Sequence, residues 1–227
     1  RSYAKLSKVL NHQFDERKPI IPYASHSEFQ QTNTSGGEID ESTGGFTDFL
    51  RHRNIFPLTG AYEDNQHVLQ HEMSHQFQFD IWRRRGGVQG IINANAPLWF
   101  VEGMSEYLSL SPVDPNPAMW LRDAALEGKL PDAEAFYRVF PYRFGHALVA
   151  YIGQRWGDEA IAQITKLGGS GGGVEMALQR TLGLSFPQLV AQWQDAVQKQ
   201  YLPEIGNRTK GRAVAPELLT LKKSAGG

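Results

Sequence analysis

Apolar residues along this chain change rhythm near residue 64. Before it they come in short runs among Gly, Ser, Thr and Asn, and "KPIIPYAS" and "RNIFPLTG" have the length and composition of strands. Pro57, inside the second run, has no N–H to give a central ladder and so predicts an edge strand. From about Asp64 onward the spacing is helical. Asp64 or Asn65 is suited to cap a helix running through Phe79 or beyond, with Val68, Met73 and Phe77 on its buried side. "APLWFVEGMSEYLSL" predicts a second helix, ended by Pro112 and the proline-rich "SPVDPNP".

Further helices follow. "FPYRFGHALVAYIGQRWG" opens with a proline suited to a first turn and stops at Gly157. "DEAIAQITKLGG", "VEMALQRTLG" and "SFPQLVAQWQDAVQKQYL" complete the helical half, the last with Ser185 and Gln188 at capping-box spacing. "GGSGGG" lacks the Lys and Ser/Thr of a phosphate loop and reads as a flexible connector. The pattern predicts an α+β chain: a small N-terminal mixed sheet with an edge strand in a strand-rich part (1–63), then a helical part (64–205). Residues 1–210 form one unit on this reading, and 206–227 form a tail or a link to further domains of a longer chain.

Composition narrows the function. The 227 residues are 41% hydrophobic and 21% charged, which is globular rather than disordered. A formal net charge of -1 gives no global field to attract nucleic acid. No apolar run is long enough to span a membrane. Cysteine is absent, which excludes disulfides, thiolate metal sites and cysteine nucleophiles. Beginning "RSYAKL", without Met or a signal-like run, the chain reads as a mature or trimmed segment. The tryptophans Trp82, Trp120, Trp156 and Trp193 are expected in the core.

The chemistry concentrates in "NQHVLQHEMSHQFQFD". His71 and His75, four apart on a helix, share one face about 6 Å apart along the axis. Two neutral imidazoles so spaced can bind one Zn2+ ion at about 2.0–2.1 Å. Glu72 lies at the flank, where a carboxylate can take a proton from bound water without ligating. The plainer alternative is the polar face of an amphipathic helix. His67, one turn earlier, stands too far along the axis to join the same ion and reads as a supporting residue. A catalytic metal also needs a third ligand, which without cysteine is His, Asp or Glu. "WFVEGMSEY" offers Glu102 and Glu106, one turn apart among apolar neighbours.

"HEMSH" followed by "PLWFVEGMSEY" resembles the gluzincin metallopeptidases, closest to their peptidase-MA-like branch and the related aminopeptidases. Their pattern is HExxH, then W-x-x-E-G-x-x-x-Y. The resemblance implies a thermolysin-like catalytic core in which Glu102 is the third zinc ligand and Glu106 holds a histidine ligand by its distal N–H. "PYRFG" is similar to the family's P-Y-x-x-G segment, which implies that Tyr142 donates to the oxyanion. Tyr137 and His146 are further candidates for the substrate cleft. The interval between His75 and Glu102 exceeds the family's usual one, so "RRRGGVQGIINANAP" is expected to be an inserted loop. The family's peptide-docking edge strand would fall within "GGFTDFLRHRNIFPL".

The expected activity is zinc-dependent hydrolysis of a peptide or protein substrate, as an endopeptidase. The aminopeptidase element G-A-M-E-N, which grips a free amino terminus, is absent. Rival readings are an aminopeptidase-type exopeptidase, a zinc-fold scaffold without turnover, and hydrolysis of a non-peptide bond. The resemblance and the lack of cysteine favour an exported bacterial protein.

Overall fold

The computed structural model describes residues 1–32 and 37–207. Its elements are α1 (Ser2–Leu10), β1 (Ile20–Tyr23), α2 (His26–Gln30), β2 (Phe46–Asp48), β3 (Arg53–Pro57), α3 (Tyr62–Arg83) and α4 (Val88–Ala94). There follow α5 (Leu98–Ser109), α6 (Pro115–Leu126), α7 (Pro141–Trp156), α8 (Asp158–Gly168), α9 (Gly173–Leu182) and α10 (Phe186–Asn207). The architecture is α+β and mostly helical, with one sheet in the order β1-β3-β2, β1 parallel and β2 antiparallel to β3. Residues 206 and 207 end α10, and the rest of the expected tail lies outside the described residues.

Pro57 does not mark an edge strand, because β3 is the central one. Asn54 N donates to Pro19 O at 3.0 Å and Leu58 N to Tyr23 O at 2.8 Å, so the even-numbered N–H groups of β3 face β1. The N–H that Pro57 lacks would face the other side, where pairing with β2 has ended at Ile55. No ladder bond is lost. The edge strand beside α3 is β2.

Other expectations also change. The first 63 residues hold two helices as well as the strands; Leu6, Val9 and Leu10 give α1 an apolar face against the main core. The expected inserted loop contains α4, which sets Ile91 and Ala94 against that core. "SPVDPNP" starts α6: the Asp114 side chain accepts from Asn116 N at 3.0 Å, and Pro115 suits the first turn. The Ser185–Gln188 capping box forms, with Ser185 N donating to Gln188 Oε1 at 2.9 Å. Trp82 and Trp193 are buried, but Trp156 is half-buried and Trp120 is 46% exposed.

α3 is a buried polar helix. Ala61 precedes it without a side-chain cap, while Asn65 Oδ1 accepts from Thr59 N at 2.9 Å and ties down the incoming loop. Neither Asp64 nor Asn65 caps it. Phe77 is buried as expected, whereas Val68 and Met73 are only half-buried. Because an unpaired buried polar group is costly, the helix depends on partners from its neighbours. Gln70 Nε2 donates to Leu108 O, and Gln78 Nε2 to Val101 O at 2.9 Å, which fastens α3 to α5.

At its far end Asp80 draws in the N-terminal segment. Asp80 Oδ2 accepts from His12 Nε2 at 2.8 Å and Arg84 Nε at 3.1 Å, and Oδ1 lies 3.1 Å from Lys18 Nζ. The Lys18 side chain is only 4% exposed. Burial by itself would raise the Asp80 pKa, but hydrogen bonds from His12 and Lys18 and nearby cations hold it far below the usual carboxylate range.

α5 and α7 cross at two glycines. A Cβ on Gly103 would lie 2.3 Å from the carbonyl carbon of Gly145, and one on Gly145 would lie 2.4 Å from Trp99 O. Only residues without side chains let the two backbones approach so closely. The crossing sets the carboxylates of α5 beside the start of α7.

Two outcomes follow. Gly145→Ala meets the α5 backbone at both Trp99 and Gly103, so chemical denaturation should show a loss on the order of 3 kcal/mol. Asp80→Asn removes the carboxylate shared by His12, Lys18 and Arg84 and leaves Lys18 with Glu16, 2.8 Å away, as its remaining carboxylate, at an expected cost of about 1–3 kcal/mol near neutral pH. A carboxylate with a depressed folded pKa stabilises above its unfolded value, about 3.9, and loses that contribution as pH falls toward the folded value. The deficit of Asp80→Asn should therefore shrink below about pH 4, which urea melts at neutral and acid pH would read.

Candidate metal centre

On α3, His71 and His75 face Glu102 and Glu106 of α5, each pair one helical turn apart. Three donors converge. His71 Nε2 lies 3.1 Å from His75 Nε2 and 3.2 Å from Glu102 Oε2, and His75 Nε2 lies 3.3 Å from that oxygen. Around a tetrahedral ion with bonds near 2.0–2.1 Å, ligand atoms stand about 3.3 Å apart. The triangle has these edges, so one ion can sit at bonding distance from all three corners. These buried groups could hold a metal ion.

Electrostatics fits a cation. Burial by itself would lower the His71 pKa, but Glu102 and Glu106, hydrogen-bonded to its ring, raise it to about 9. Burial would raise the Glu102 pKa, but hydrogen bonds from His71 and His75 bring it down to about 2. Without a metal the site keeps its charge by protonating an imidazole. A divalent cation would replace that proton.

The far nitrogens of both rings are held. His71 Nδ1 donates to Glu106 Oε1 at 2.9 Å, and His75 Nδ1 to Gln78 Oε1 at 3.0 Å, with Ser105 Oγ at 3.2 Å. These bonds leave each Nε2 directed at the point of convergence. His67, His71 and Glu106 form a second possible donor set. There, however, Glu106 Oε1 accepts from His67 Nε2 at 3.0 Å as well as from His71, and Oε2 accepts from Arg143 Nη1 at 2.9 Å. With a guanidinium at one oxygen and two imidazoles at the other, Glu106 acts as a hub between rings. His67 supports that hub.

Glu72 is held by the sheet. Thr47 Oγ1 on β2 lies 2.7 Å from Glu72 Oε2 and 2.9 Å from Glu72 O, and Asn54 Nδ2 on β3 donates to Glu72 O at 2.8 Å. Gly45 lets β2 come this close: a Cβ there would lie 3.2 Å from Glu72 Cγ and 3.0 Å from Phe56 Cβ. Tyr142, in the first turn of α7, stacks on the His71 ring at 5.9 Å. Burial, then the charges of Glu102 and Glu72, push its hydroxyl pKa well above the ordinary tyrosine value, so it stays a hydrogen-bond donor.

Two cavities flank these residues and share Gly45, His71, Glu72 and Tyr142. One, of about 430 Å³, is lined by His67, Glu106, Arg143 and Phe140. The other, of about 360 Å³, is lined by Phe46, Phe79, Leu98 and Val101. A cleft thus crosses the site.

Two expected residues lie elsewhere. His146 is 2% exposed and its Nε2 donates to Ser111 O at 2.8 Å. One turn beyond Tyr142 carries it past the end of α5, to a separate cavity between α6, α7 and α10. Tyr137 donates its hydroxyl to Glu175 on α9 and lines neither cavity of the cleft. Thr47, Asn54, Gln78, Ser105 and Arg143 were not anticipated. Gln78 and Ser105 follow a ligand at one helical turn and share its face, a signal available locally; Thr47 and Asn54 come from strands and carry none.

Compared with protein-family models, curated proteins and solved structures, the chain matches none.

Glu106→Gln keeps the volume of the hub but removes its charge. Zinc titration by calorimetry should then show affinity reduced about 10- to 100-fold.

Proposed function

We propose that this protein is a zinc-dependent peptidase of the gluzincin type, with a thermolysin-like catalytic core. The observation that carries the reading is the triangle of His71 Nε2, His75 Nε2 and Glu102 Oε2 with edges of 3.1–3.3 Å, beside the carboxylate of Glu72. Two imidazoles and one carboxylate without a thiolate are a donor set suited to catalytic zinc, and the triangle leaves a fourth position free.

His71, His75 and Glu102 would hold the ion. When bound, zinc supplies Lewis acidity, polarising the scissile carbonyl and lowering the pKa of water. Glu72, positioned by Thr47, takes a proton from the attacking water and delivers it to the departing amine. Tyr142 donates to the carbonyl oxygen as negative charge grows there. The free edge of β2 offers backbone pairing to an extended peptide, which gives affinity with little side-chain selectivity. Because the cleft continues on both sides of the donors, cleavage within a chain suits it better than removal of a terminal residue.

Glu72→Gln should bind one zinc as the parent does and lose on the order of 10²–10⁴-fold in kcat on quenched-fluorescence peptides. Undiminished turnover in this variant would remove Glu72 from the mechanism. A zinc-loaded parent protein that cleaves no peptide would leave the scaffold reading in its place.

A further inference from the structure

A shelf of exposed rings leads away from the metal centre. Tyr142, stacked on His71, lies 5.4 Å from Phe140, and Phe140 lies 5.9 Å from Trp120 on α6, centroid to centroid. Tyr142 is 36% exposed, Phe140 45% and Trp120 46%. Phe140 and Tyr142 also line the cavity on the Glu106 side of the cleft, so the shelf is continuous with it. The Arg143 guanidinium stands 5.7 Å from the Phe140 ring while its Nη1 bonds Glu106, which fixes the middle of the shelf to the centre.

Contiguous exposed aromatics mark a binding surface, and two features indicate the occupant. Successive rings are inclined by 50° and 44°, which makes notches for separate side chains rather than the flat platform a sugar ring would stack on. Their spacing is also close to the roughly 6.7 Å between every second side chain of an extended strand. A peptide with its scissile carbonyl near Tyr142 would thus bring its second residue to Phe140 and about its fourth to Trp120.

We propose that Phe140 and Trp120 form an extended subsite that selects large apolar side chains, above all aromatic ones, about two and four residues from the cut on one side. The inference rests on the peptidase reading above for its register and names the substrate class: peptides with spaced bulky apolar residues.

The test uses peptides carrying Phe or Ala at the second and fourth positions on either side of the cut. Turnover is measured with the zinc-loaded protein, and binding of the same peptides with Glu72→Gln. The expected result is a preference for Phe over Ala of roughly three- to tenfold per position, on one side only. Trp120→Ala should bring the Phe-to-Ala ratio at the fourth position toward one, and Phe140→Ala should do so at the second; both side chains are half-exposed, so the fold is expected to tolerate them. Cleavage with no such preference, or a preference unchanged in both variants, overturns the subsite but leaves the peptidase. Preferential binding of Phe peptides that are never cut supports the shelf and overturns the peptidase. Binding of chitooligosaccharides, and not of peptides, in a manner that Trp120→Ala abolishes would overturn the proposed occupant.

Discussion

Between α3 and α5 two carboxylates and two imidazoles share a buried layer, and each is tolerable there only because of the others. Moved alone out of water, Glu102 or Glu106 would become a neutral acid and His71 a neutral base. Together they hold the opposite states, with both carboxyls depressed to about 2 and His71 raised to about 9. So concentrated an arrangement of charge is a poor device for stability alone, since apolar side chains of similar volume commonly do as well. It is a good device for fixing Nε2 atoms at one point and leaving them there.

The rest of the fold serves that layer. α3 buries Phe77, Ile81 and Trp82 in the main core, and its polar side is held by side-chain bonds to carbonyls of α5 and by the Asp80 cluster. The Gly103–Gly145 crossing brings α7 near enough for Arg143 to reach Glu106 and for Tyr142 to stack on His71. The sheet contributes Thr47 and Asn54, which grip Glu72 by its side chain and its backbone. Three different parts of the chain thus meet at three neighbouring residues of one helix. That convergence supports reading the site as catalytic machinery, in which the ligands, the base and the hydroxyl donor are each oriented by something else.

What could be read from the sequence was what depends on local spacing. The four-residue intervals between His71 and His75, and between Glu102 and Glu106, project one helical turn onto one face whatever the tertiary fold. The stop at Gly157 and the Ser185–Gln188 cap are likewise local. What escaped depends on partners distant in sequence. Pro57 suggested an edge because the end of β2 opposite Ile55 is invisible from the chain. His146 stood one turn from Tyr142, yet the carbonyl of Ser111 claims it. Trp120 was expected in the core from its residue type alone, and its exposure beside Phe140 needs the packing of α6 on α7. α1 and α6 were legible in principle, from the spacing of Leu6, Val9 and Leu10 and from Asp114 before Pro115.

The central claim is that one divalent ion is gripped by two imidazoles of one helix and a carboxylate of the next. X-ray absorption at the zinc edge of the purified, zinc-loaded protein tests it most directly. The account predicts one zinc per chain with two imidazole nitrogens and carboxylate and water oxygens at about 2.0–2.2 Å, and loss of that signature in His71→Ala and Glu102→Ala. Substoichiometric zinc, or an unchanged coordination shell in those variants, would contradict it.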